Sequence, residues 1–315
     1  MAALKNFLVL IPLILSLVAF VLTNLALFAG HQQGFMEDYA VIRLNTSELG
    51  QNIFKNAKSS SSSDDDDDDD DDDSIFDKIK GKVHDLTDKG KDKLNDIAGD
   101  IIGDIADDLG ISQWYSVHIM NACQGEFGAN ATTAHFKLNT TNCTHSSPSN
   151  RFNLTEILDQ ELSIGPLDIS LADIDWPDSI EDKISDLNNA LLALFIFFVL
   201  GVGFSGLSML ACIPAFLLGD KKIILFINTA LASLAAATIT LGSIVVTAAS
   251  SIAVNAINKA GEKITLVATK GTKFYIISWI AAIFMIITSL FWIGKFAMLW
   301  KKEKRDRERY SKERF

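Results

Sequence analysis

The main feature of the chain is a set of four long blocks that contain no Asp, Glu, Lys, Arg or His. These blocks cover residues 7–29, 190–218, 223–254 and 274–294. A membrane-spanning helix needs about 20 predominantly apolar residues, and each block reaches that length. The pattern therefore predicts four transmembrane helices, which we place at residues 6–30, 190–218, 223–254 and 274–299. It excludes a soluble globular protein and argues against a nucleic-acid-binding protein.

The first block is also a candidate for a cleaved signal peptide. The apolar region of a signal peptide is about 7–15 residues long, whereas this block runs from residue 7 to residue 29. An uncleaved membrane anchor is therefore favoured. Cleavage would leave three spans and would not move the segment that follows.

Charge is sorted along the chain, and this sorting predicts the orientation in the membrane. The 315 residues carry a formal net charge of −11, yet residues 31–189 hold 33 Asp and Glu against 12 Lys and Arg. The tail, residues 300–315, is rich in basic side chains, which are retained on the cytoplasmic side of a span. Four spans then place residues 1–5 and the link at 219–222 in the cytoplasm as well. Residues 31–189 and the loop at 255–273 face outward.

Two further observations concern the lysines and arginines. The predicted outer loop at 255–273 contains Lys259, Lys263, Lys270 and Lys273, which oppose the orientation and are outweighed by the basic tail. The tail itself could bind anionic lipid of the inner leaflet, at about 1 kcal/mol per Lys or Arg. The side chains expected to do so are Lys301, Lys302, Lys304, Arg305, Arg307 and Arg309.

Glycosylation sequons support the outward placement of residues 31–189. All five Asn-x-Ser/Thr sequons of the chain lie there, at Asn45, Asn130, Asn139, Asn142 and Asn153. A single sequon often arises by chance, but five in one segment are harder to dismiss. Asn142 is the poorer candidate, because Cys143 lies inside its sequon.

Cys123 and Cys143 lie in the same outward segment, where the environment is oxidising. We predict that they form a disulfide, which would stabilise the fold by about 3 kcal/mol in the chain-entropy model. The competing interpretation is two independent thiols. Cys212 lies within the second span and is interpreted as a small buried apolar residue.

Low-complexity sequence occupies part of the outward segment. Residues 31–58 are mixed and predict weak order. The run Ser59–Ser63 followed by Asp64–Asp73 predicts a solvated, disordered spacer, because ten adjacent carboxylates repel one another. A calcium loop is the sharper alternative, but it needs ligands that alternate with turn residues and a Gly at the bend.

Regular structure is predicted elsewhere in the outward segment. Apolar residues at helical spacing in 75–109 predict two amphipathic helices broken near Gly90, which either pack on the outer domain or lie on the outer leaflet. Residues 152–162 predict a short helix. Alternation at Leu167, Ile169 and Leu171 predicts a short strand.

Gly201, Gly203 and Gly206 reproduce the G-x-G-x-x-G pattern of dinucleotide-binding proteins. That pattern binds pyrophosphate where a strand ends and a helix begins, whereas these glycines lie inside an apolar span. We therefore predict that they permit close helix packing. The five histidines lack metal-ligand spacing. They could sense external pH, although ordinary surface or core roles are favoured. We expect no catalytic residue, metal site or cofactor.

One stretch of the outward segment resembles a known family. It contains Trp114, Tyr115, Ser116 and Val117, then Asn121, Cys123 and Gly125, with Cys143 following. This pattern, together with one span, a large outer segment and three clustered spans, resembles the fungal Sur-seven/PalI family of claudin-like membrane proteins. The ten-Asp run and the insert at 46–110 are not features of that family. The densest part of the motif lies in residues 111–145.

The resemblance implies a fold and a set of functions. The fold is an all-α membrane protein, a four-helix bundle that carries a disulfide-tied outer subdomain with a small β-sheet. The implied function is organisation of cortical plasma-membrane domains of the eisosome type, linked to cell-wall integrity, endocytosis or sporulation. An accessory subunit of ambient-pH signalling is the alternative, and a small channel or transporter is less favoured. Expected partners are membrane lipids, other copies or cortical membrane proteins, and the cell wall, with no nucleic acid.

Overall fold

The computed structural model describes residues 8–47, 111–127, 138–148, 152–164, 178–219, 221–262 and 265–313. The Ser/Asp run, the amphipathic helices predicted at 75–109 and the strand predicted near Ile169 lie outside these residues. The chain divides into two compact units. We call residues 1–29, 190–248 and 272–315 the bundle unit, and residues 30–189 and 249–271 the sheet unit.

Five α-helices and one 3-10 helix lie in the described residues. They are α1 (Leu10–Phe28), the 3-10 turn Glu37–Tyr39, α2 (Leu154–Ile164), α3 (Asp178–Leu218), α4 (Lys222–Gly261) and α5 (Thr272–Glu313). Helices α1, α3, α4 and α5 are long and apolar enough to cross a membrane. The prediction of four apolar helices is confirmed.

Small residues dominate the core of the bundle unit. Its buried cluster draws from all four long helices and includes Ala19, Cys212, Ala232, Ala235, Ala236, Ala281, Ala282 and Trp292. Lipid is as apolar as these side chains, so close backbone approach and hydrogen bonds hold such helices together. Two hydrogen bonds between helices contribute. The Asn228 amide donates to the Ala211 carbonyl at 3.0 Å, and the Ser233 and Ser289 hydroxyls lie 2.8 Å apart.

Three of the long helices extend past the apolar blocks that predicted them. Helix α3 begins at Asp178, within the acidic sequence that precedes the block, and α4 continues to Gly261. Helix α5 runs through the basic tail to Glu313. The apolar blocks mark the part of a helix that fits in hydrocarbon, about 30 Å or 20 residues. Beyond the apolar blocks the helices continue through polar turns, because the backbone hydrogen bonds of an α-helix form within the helix and do not depend on lipid.

A five-stranded antiparallel sheet forms the centre of the sheet unit. Its strands are β1 (Ile42–Asn45), β2 (Trp114–Val117), β3 (Ala122–Phe127), β4 (Leu138–Cys143) and β5 (Val267–Lys270). The order across the sheet is β4-β3-β2-β1-β5. The small sheet that the resemblance implied is therefore present. Strand β1 pairs with both β2 and β5, in register at Leu44, Tyr115 and Ala268.

Two expectations for this region were wrong. Residues 31–58 were expected to be weakly ordered, but Ile42–Asn45 form an inner strand in which Ile42 and Leu44 are buried. Residues 255–273 were expected to be a loop, but they contain the end of α4 and the edge strand β5. Each strand has only four residues, too few for a clear alternating pattern, and its neighbours in the sheet are distant in sequence.

Helix α2 agrees with the helix predicted at 152–162, shifted by two residues at each end. Its first turn is capped by Asn153, whose side-chain oxygen accepts from the Glu156 amide at 3.2 Å. Asn188 of α3 holds the start of this helix through two hydrogen bonds with the Phe152 backbone, at 3.1 and 2.8 Å.

Candidate functional site

The family-like motif occupies the middle of the sheet. Strand β2 consists of Trp114, Tyr115, Ser116 and Val117, and all four residues are buried. Strand β3 follows after a turn and brings Gly125 opposite Trp114 and Cys123 opposite Ser116. The motif is therefore a hairpin with both strands inside the sheet, because β2 also pairs with β1 and β3 also pairs with β4.

The indole ring of Trp114 leaves no room for a side chain at the opposite position in the sheet, Gly125. The indole N–H of Trp114 donates to the Glu126 carbonyl at 3.0 Å. A Cβ atom at Gly125 would lie 2.7 Å from Cζ2 of Trp114 and would overlap the carbonyl oxygen of Asn139. Only glycine leaves room for the indole ring and for the neighbouring strand β4 at this position.

Tyr115 attaches helix α2 to the sheet. Its hydroxyl donates to Oε2 of Glu161 on α2. The same carboxylate accepts from the Ser112 amide at 3.1 Å and from Nε2 of Gln124 at 2.6 Å. Burial, reinforced by the negative charge of Glu161, raises the pKa of the Tyr115 phenol. The phenol is therefore held in its neutral, donating form. Sequence reasoning singled out Tyr115 but missed Glu161.

A second polar cluster lies near the disulfide. His118 is buried and its Nε2 lies 3.2 Å from the Ser116 hydroxyl and 3.5 Å from Oε2 of the buried Glu37. Asn121 donates to the Gly30 carbonyl at 2.5 Å. Gly30 has a positive φ of 73°, and a Cβ atom there would overlap the His118 ring. Sequence reasoning missed both residues, because Glu37 belongs to the segment expected to be weakly ordered and Gly30 was assigned to the end of the first span.

The same cluster contains three residue types that bind metal ions in other proteins. Ligand atoms of Glu37, His118 and Cys123 lie within 4.8 Å of one another. The sulfur of Cys123 is bonded to Cys143, however, so it cannot act as a thiolate ligand. The donor set that remains, one imidazole and one carboxylate, falls short of a structural zinc site with its four ligands.

The predicted disulfide between Cys123 and Cys143 is confirmed. The two residues are direct partners in the β3–β4 ladder, so the bond fixes the edge strand of the sheet to its neighbour. Cys123 is almost fully buried, whereas Cys143 is half-buried. Cys212 lies in the buried core of the bundle unit, in agreement with its interpretation as an apolar residue.

The match to a family model agrees with this arrangement. The model of the SUR7/PalI family matches residues 8–291 of the chain. The chain belongs to the SUR7/PalI family. No curated protein and no solved structure is similar enough to match. Together with the four apolar helices, family membership makes this SUR7/PalI protein a multi-pass membrane protein.

The sequons of this SUR7/PalI protein differ in exposure. Asn139 and Asn142 on β4 and Asn153 before α2 are exposed. Asn45 on the inner strand β1 is half-buried, and its side-chain oxygen accepts from the Ser47 amide and hydroxyl at 3.0 and 2.7 Å. Asn130 lies outside the described residues.

The glycines predicted to mediate helix packing do not behave alike. A Cβ atom at Gly201 of α3 would lie 2.5 Å from Cγ1 of Ile239 on α4, and one at Gly206 would lie 3.1 Å from the Phe20 ring on α1. Gly203 is exposed, and a Cβ atom added there would meet no atom of a neighbouring segment within 4 Å, so the packing role does not extend to it. Sequence reasoning missed Gly242 of α4, which lies against the Phe198 ring.

The basic tail residues lie on the last turns of α5. Lys301, Lys302, Lys304, Arg305, Arg307 and Arg309 are all exposed. Glu303, which lies among them, forms an ion pair with Lys222 at the start of α4, with the two atoms 2.9 Å apart. That ion pair connects α5 to its neighbour α4, and the guanidinium of Arg307 also lies 4.0 Å from the Glu303 carboxylate.

Proposed function

We propose that this protein is a structural organiser of the plasma membrane, acting in cortical compartments of the eisosome type with links to cell-wall integrity, endocytosis or sporulation. The proposal rests on the structural role of the family-like motif on strand β2. Trp114, Tyr115, Ser116 and Val117 are buried, and hydrogen bonds of Trp114 and Tyr115 connect their strand to strand β3 and to helix α2. A motif used in this way shapes a stable outer surface, and such a surface suits a binding or scaffolding role better than catalysis.

The membrane-facing surfaces support lateral association. Large apolar side chains on the long helices are exposed, including Leu210 on α3 and Leu290 on α5. In a membrane these side chains contact lipid or a neighbouring protein. Self-association, or association with other cortical membrane proteins, would use these faces. The sheet unit would then face the cell wall, with both chain termini in the cytoplasm.

The basic tail provides the contact with the inner leaflet. Among the tail residues whose side chains the structure describes, six Lys and Arg are exposed, and they lie directly after the apolar part of α5. Anionic lipid attracts such side chains by about 1 kcal/mol each, and the attraction falls off within a Debye length of the surface. The first basic residues after Trp300 therefore contribute most to lipid binding.

Imaging of a tagged full-length chain tests the proposal. We expect stable patches at the plasma membrane that recover slowly after photobleaching. The variant Lys301→Gln/Lys302→Gln/Lys304→Gln should weaken the patches, whereas Lys301→Arg/Lys302→Arg/Lys304→Arg, which keeps the charge, should not. A diffuse endomembrane distribution that is unaffected by deleting residues 301–315 contradicts both the compartment and the role of the tail.

A second candidate, an accessory subunit of ambient-pH signalling, is favoured by one contact. Buried His118 faces the Glu37 carboxylate at 3.5 Å, and Arg43 donates to the Glu37 carbonyl at 3.4 Å. Histidine is the side chain that proteins use most often to respond to pH near neutrality. Loss of growth at alkaline pH in a deletion strain, restored by the wild-type chain and not by His118→Gln, supports this role. A normal pH response of the deletion strain removes it.

A further inference from the structure

Strand β4 contains two adjacent glycosylation sequons, and one of them includes a disulfide-bonded residue. Asn139-Thr140-Thr141 is followed directly by Asn142-Cys143-Thr144. Both acceptor asparagines are exposed on the same edge strand. Cys143 is bonded to Cys123 on β3. We propose that closure of this disulfide blocks N-glycosylation of Asn142, while Asn139 remains the glycan site of the strand that does not depend on the disulfide.

The proposal rests on the outward placement of the sheet unit, because glycans are added only on that side of the membrane. Two covalent reactions then modify one segment, and their order determines whether Asn142 receives a glycan. In the first, Nδ2 of Asn142 bonds to the anomeric carbon of a polyprenyl-pyrophosphate-linked oligosaccharide, the amide loses a proton and polyprenyl pyrophosphate leaves. In the second, the Cys123 and Cys143 thiols lose two protons and transfer two electrons to the disulfide of a thiol oxidoreductase, which becomes a dithiol.

The closed strand occupies the part of the sequon that an acceptor must present. Thr144 supplies the hydroxyl that the sequon requires. In the folded sheet this hydroxyl accepts from the Ala122 amide at 2.9 Å. The Thr144 amide donates to the Ala122 carbonyl at 2.8 Å. The disulfide lies one residue before Thr144, so it keeps this segment against β3.

The sequon at Asn139 lacks such a covalent restraint. Its Thr141 hydroxyl donates to the Gln124 carbonyl at 3.2 Å. Like the Thr144 hydroxyl, this hydroxyl is bonded to β3 in the folded sheet, but an exposed edge strand opens locally and reversibly. A disulfide between Cys123 and Cys143 prevents that opening at the Asn142 end of the strand. Asn139 is therefore a matched internal control.

The block acts in one direction only. Successive side chains of a strand point to opposite faces of the sheet. Asn142 is exposed, whereas Cys143 is half-buried and directed to Cys123. A glycan that has already been added to Asn142 therefore leaves Cys143 free to form its disulfide. Chains with and without this glycan share one fold and differ in how well the backbone edge of β4 is covered.

Site occupancy in the full chain, expressed in a secretory pathway and measured by mass spectrometry after enzymatic deglycosylation, tests the proposal. In the wild type we expect Asn142 to be occupied in a minority of chains and Asn139 in most. Cys123→Ser leaves both sequons intact and should raise occupancy at Asn142 at least twofold, with Asn139 unchanged. Cys212→Ser, which removes the buried cysteine of the bundle unit, should change neither.

A second measurement uses the wild-type chain, so that the test still works when the Cys123→Ser variant misfolds. A brief pulse of dithiothreitol during synthesis of the wild-type chain should also raise Asn142 occupancy and leave Asn139 unchanged. Asn142→Gln should form the disulfide normally, as measured by thiol alkylation. Equal occupancy of the two sites in the wild type, or no response of Asn142 to either treatment, overturns the proposal. Absence of glycan from Asn139, Asn142 and Asn153 alike overturns the outward placement as well, so the two failures are distinguishable.

Discussion

In the bundle unit many of the buried residues are small, although Trp292 and Phe198 are buried as well, and the helices approach each other at positions such as Gly201 and Ala235. In the sheet unit the buried residues include Trp114, Tyr115 and His118, and each of them forms a polar contact with a residue from another segment. The first unit depends on close packing, the second on specific hydrogen bonds and a covalent bond. The two units should therefore differ in the substitutions that damage them.

The difference follows from the solvent each unit is expected to meet. Lipid provides no hydrophobic driving force between helices, so packing at small residues determines helix association. Water drives burial of aromatic side chains, but each buried polar group then needs a partner. A substitution that removes a hydrogen bond or the disulfide should act mainly on the sheet unit. A substitution that adds volume at a glycine should act mainly on the bundle unit.

Loss of the disulfide should have the largest effect. Cys123→Ser should lower the free energy of unfolding of the sheet unit by about 3 kcal/mol, because the unfolded chain regains the entropy that the cross-link removes. Cys212→Ser is the matched control in the bundle unit. Limited proteolysis of the purified protein, with non-reducing electrophoresis, measures the effect. Equal resistance to protease in Cys123→Ser and the wild type contradicts the prediction.

The Tyr115–Glu161 contact should make the sheet unit sensitive to alkaline pH. Burial and the Glu161 charge raise the pKa of Tyr115 above its ordinary value of 10.0. The stabilisation is therefore complete below pH 10 and is lost as the pH rises further, by about 1.4 kcal/mol per pH unit for one proton. Thermal melting between pH 8 and pH 11 measures this slope. Tyr115→Phe should remove this pH dependence, and loss of the hydrogen bond should lower the free energy of unfolding by about 1 kcal/mol at neutral pH.

Glu161→Gln sharpens the same prediction. The substitution keeps the shape of the side chain but removes its charge, so the pKa of Tyr115 should fall towards its ordinary value. The alkaline loss of stability should then be smaller than in the wild type. An alkaline slope in Tyr115→Phe as steep as in the wild type would assign the effect to another group.

The sequence predicted the bundle unit more completely than the sheet unit, for a physical reason. Each apolar block is a local signal, because crossing the hydrocarbon core requires about 20 consecutive residues. Strand β5 joins β1 across more than two hundred residues, and nothing within Val267–Lys270 indicates that partner. Glu37 and Glu161 likewise gain their roles only when distant segments meet. The motif located Tyr115, but its partner Glu161 depends on the position of α2.

Gly201 and Gly203 form a matched pair for testing helix packing, with an effect of about 1 kcal/mol. Gly201→Ala places a methyl group against Ile239 of α4 and should destabilise the bundle unit by about 1 kcal/mol. Gly203→Ala meets no neighbour and should leave stability equal or raise it by about 0.5 kcal/mol, because alanine favours the helix. Denaturation in sodium dodecyl sulfate measures both.

Ile239→Ala should rescue Gly201→Ala, because it removes the side chain that the new methyl group meets. The stability of the double variant should then be closer to that of Ile239→Ala alone than the sum of the two single effects predicts. If Gly201→Ala and Gly203→Ala have the same effect, helix propensity and not packing determines stability at these positions.

The smallest effect should come from the largest change in sequence, deletion of residues 59–73. The insert that contains them joins β1 to β2, and the ends of that connection are fixed beside each other. The Thr46 amide donates to the Gln113 carbonyl at 3.0 Å, and the Thr46 hydroxyl donates to the Ser112 carbonyl at 2.5 Å. Loop-closure entropy depends only on the logarithm of loop length, so this deletion should change stability by about 0.2 kcal/mol when the insert acts through chain entropy alone.

Thermal melting at low and high salt measures the effect of the deletion and separates two explanations. A shift below about 1 °C at both salt concentrations means that the run of ten aspartates contributes nothing to the fold of the sheet unit, as expected for a change of about 0.2 kcal/mol. A stabilisation confined to low salt would indicate repulsion between the aspartates and the acidic sheet unit. A large destabilisation at both salt concentrations would show that the insert packs on the sheet, and the sheet unit would then depend on more than its hydrogen bonds and its disulfide.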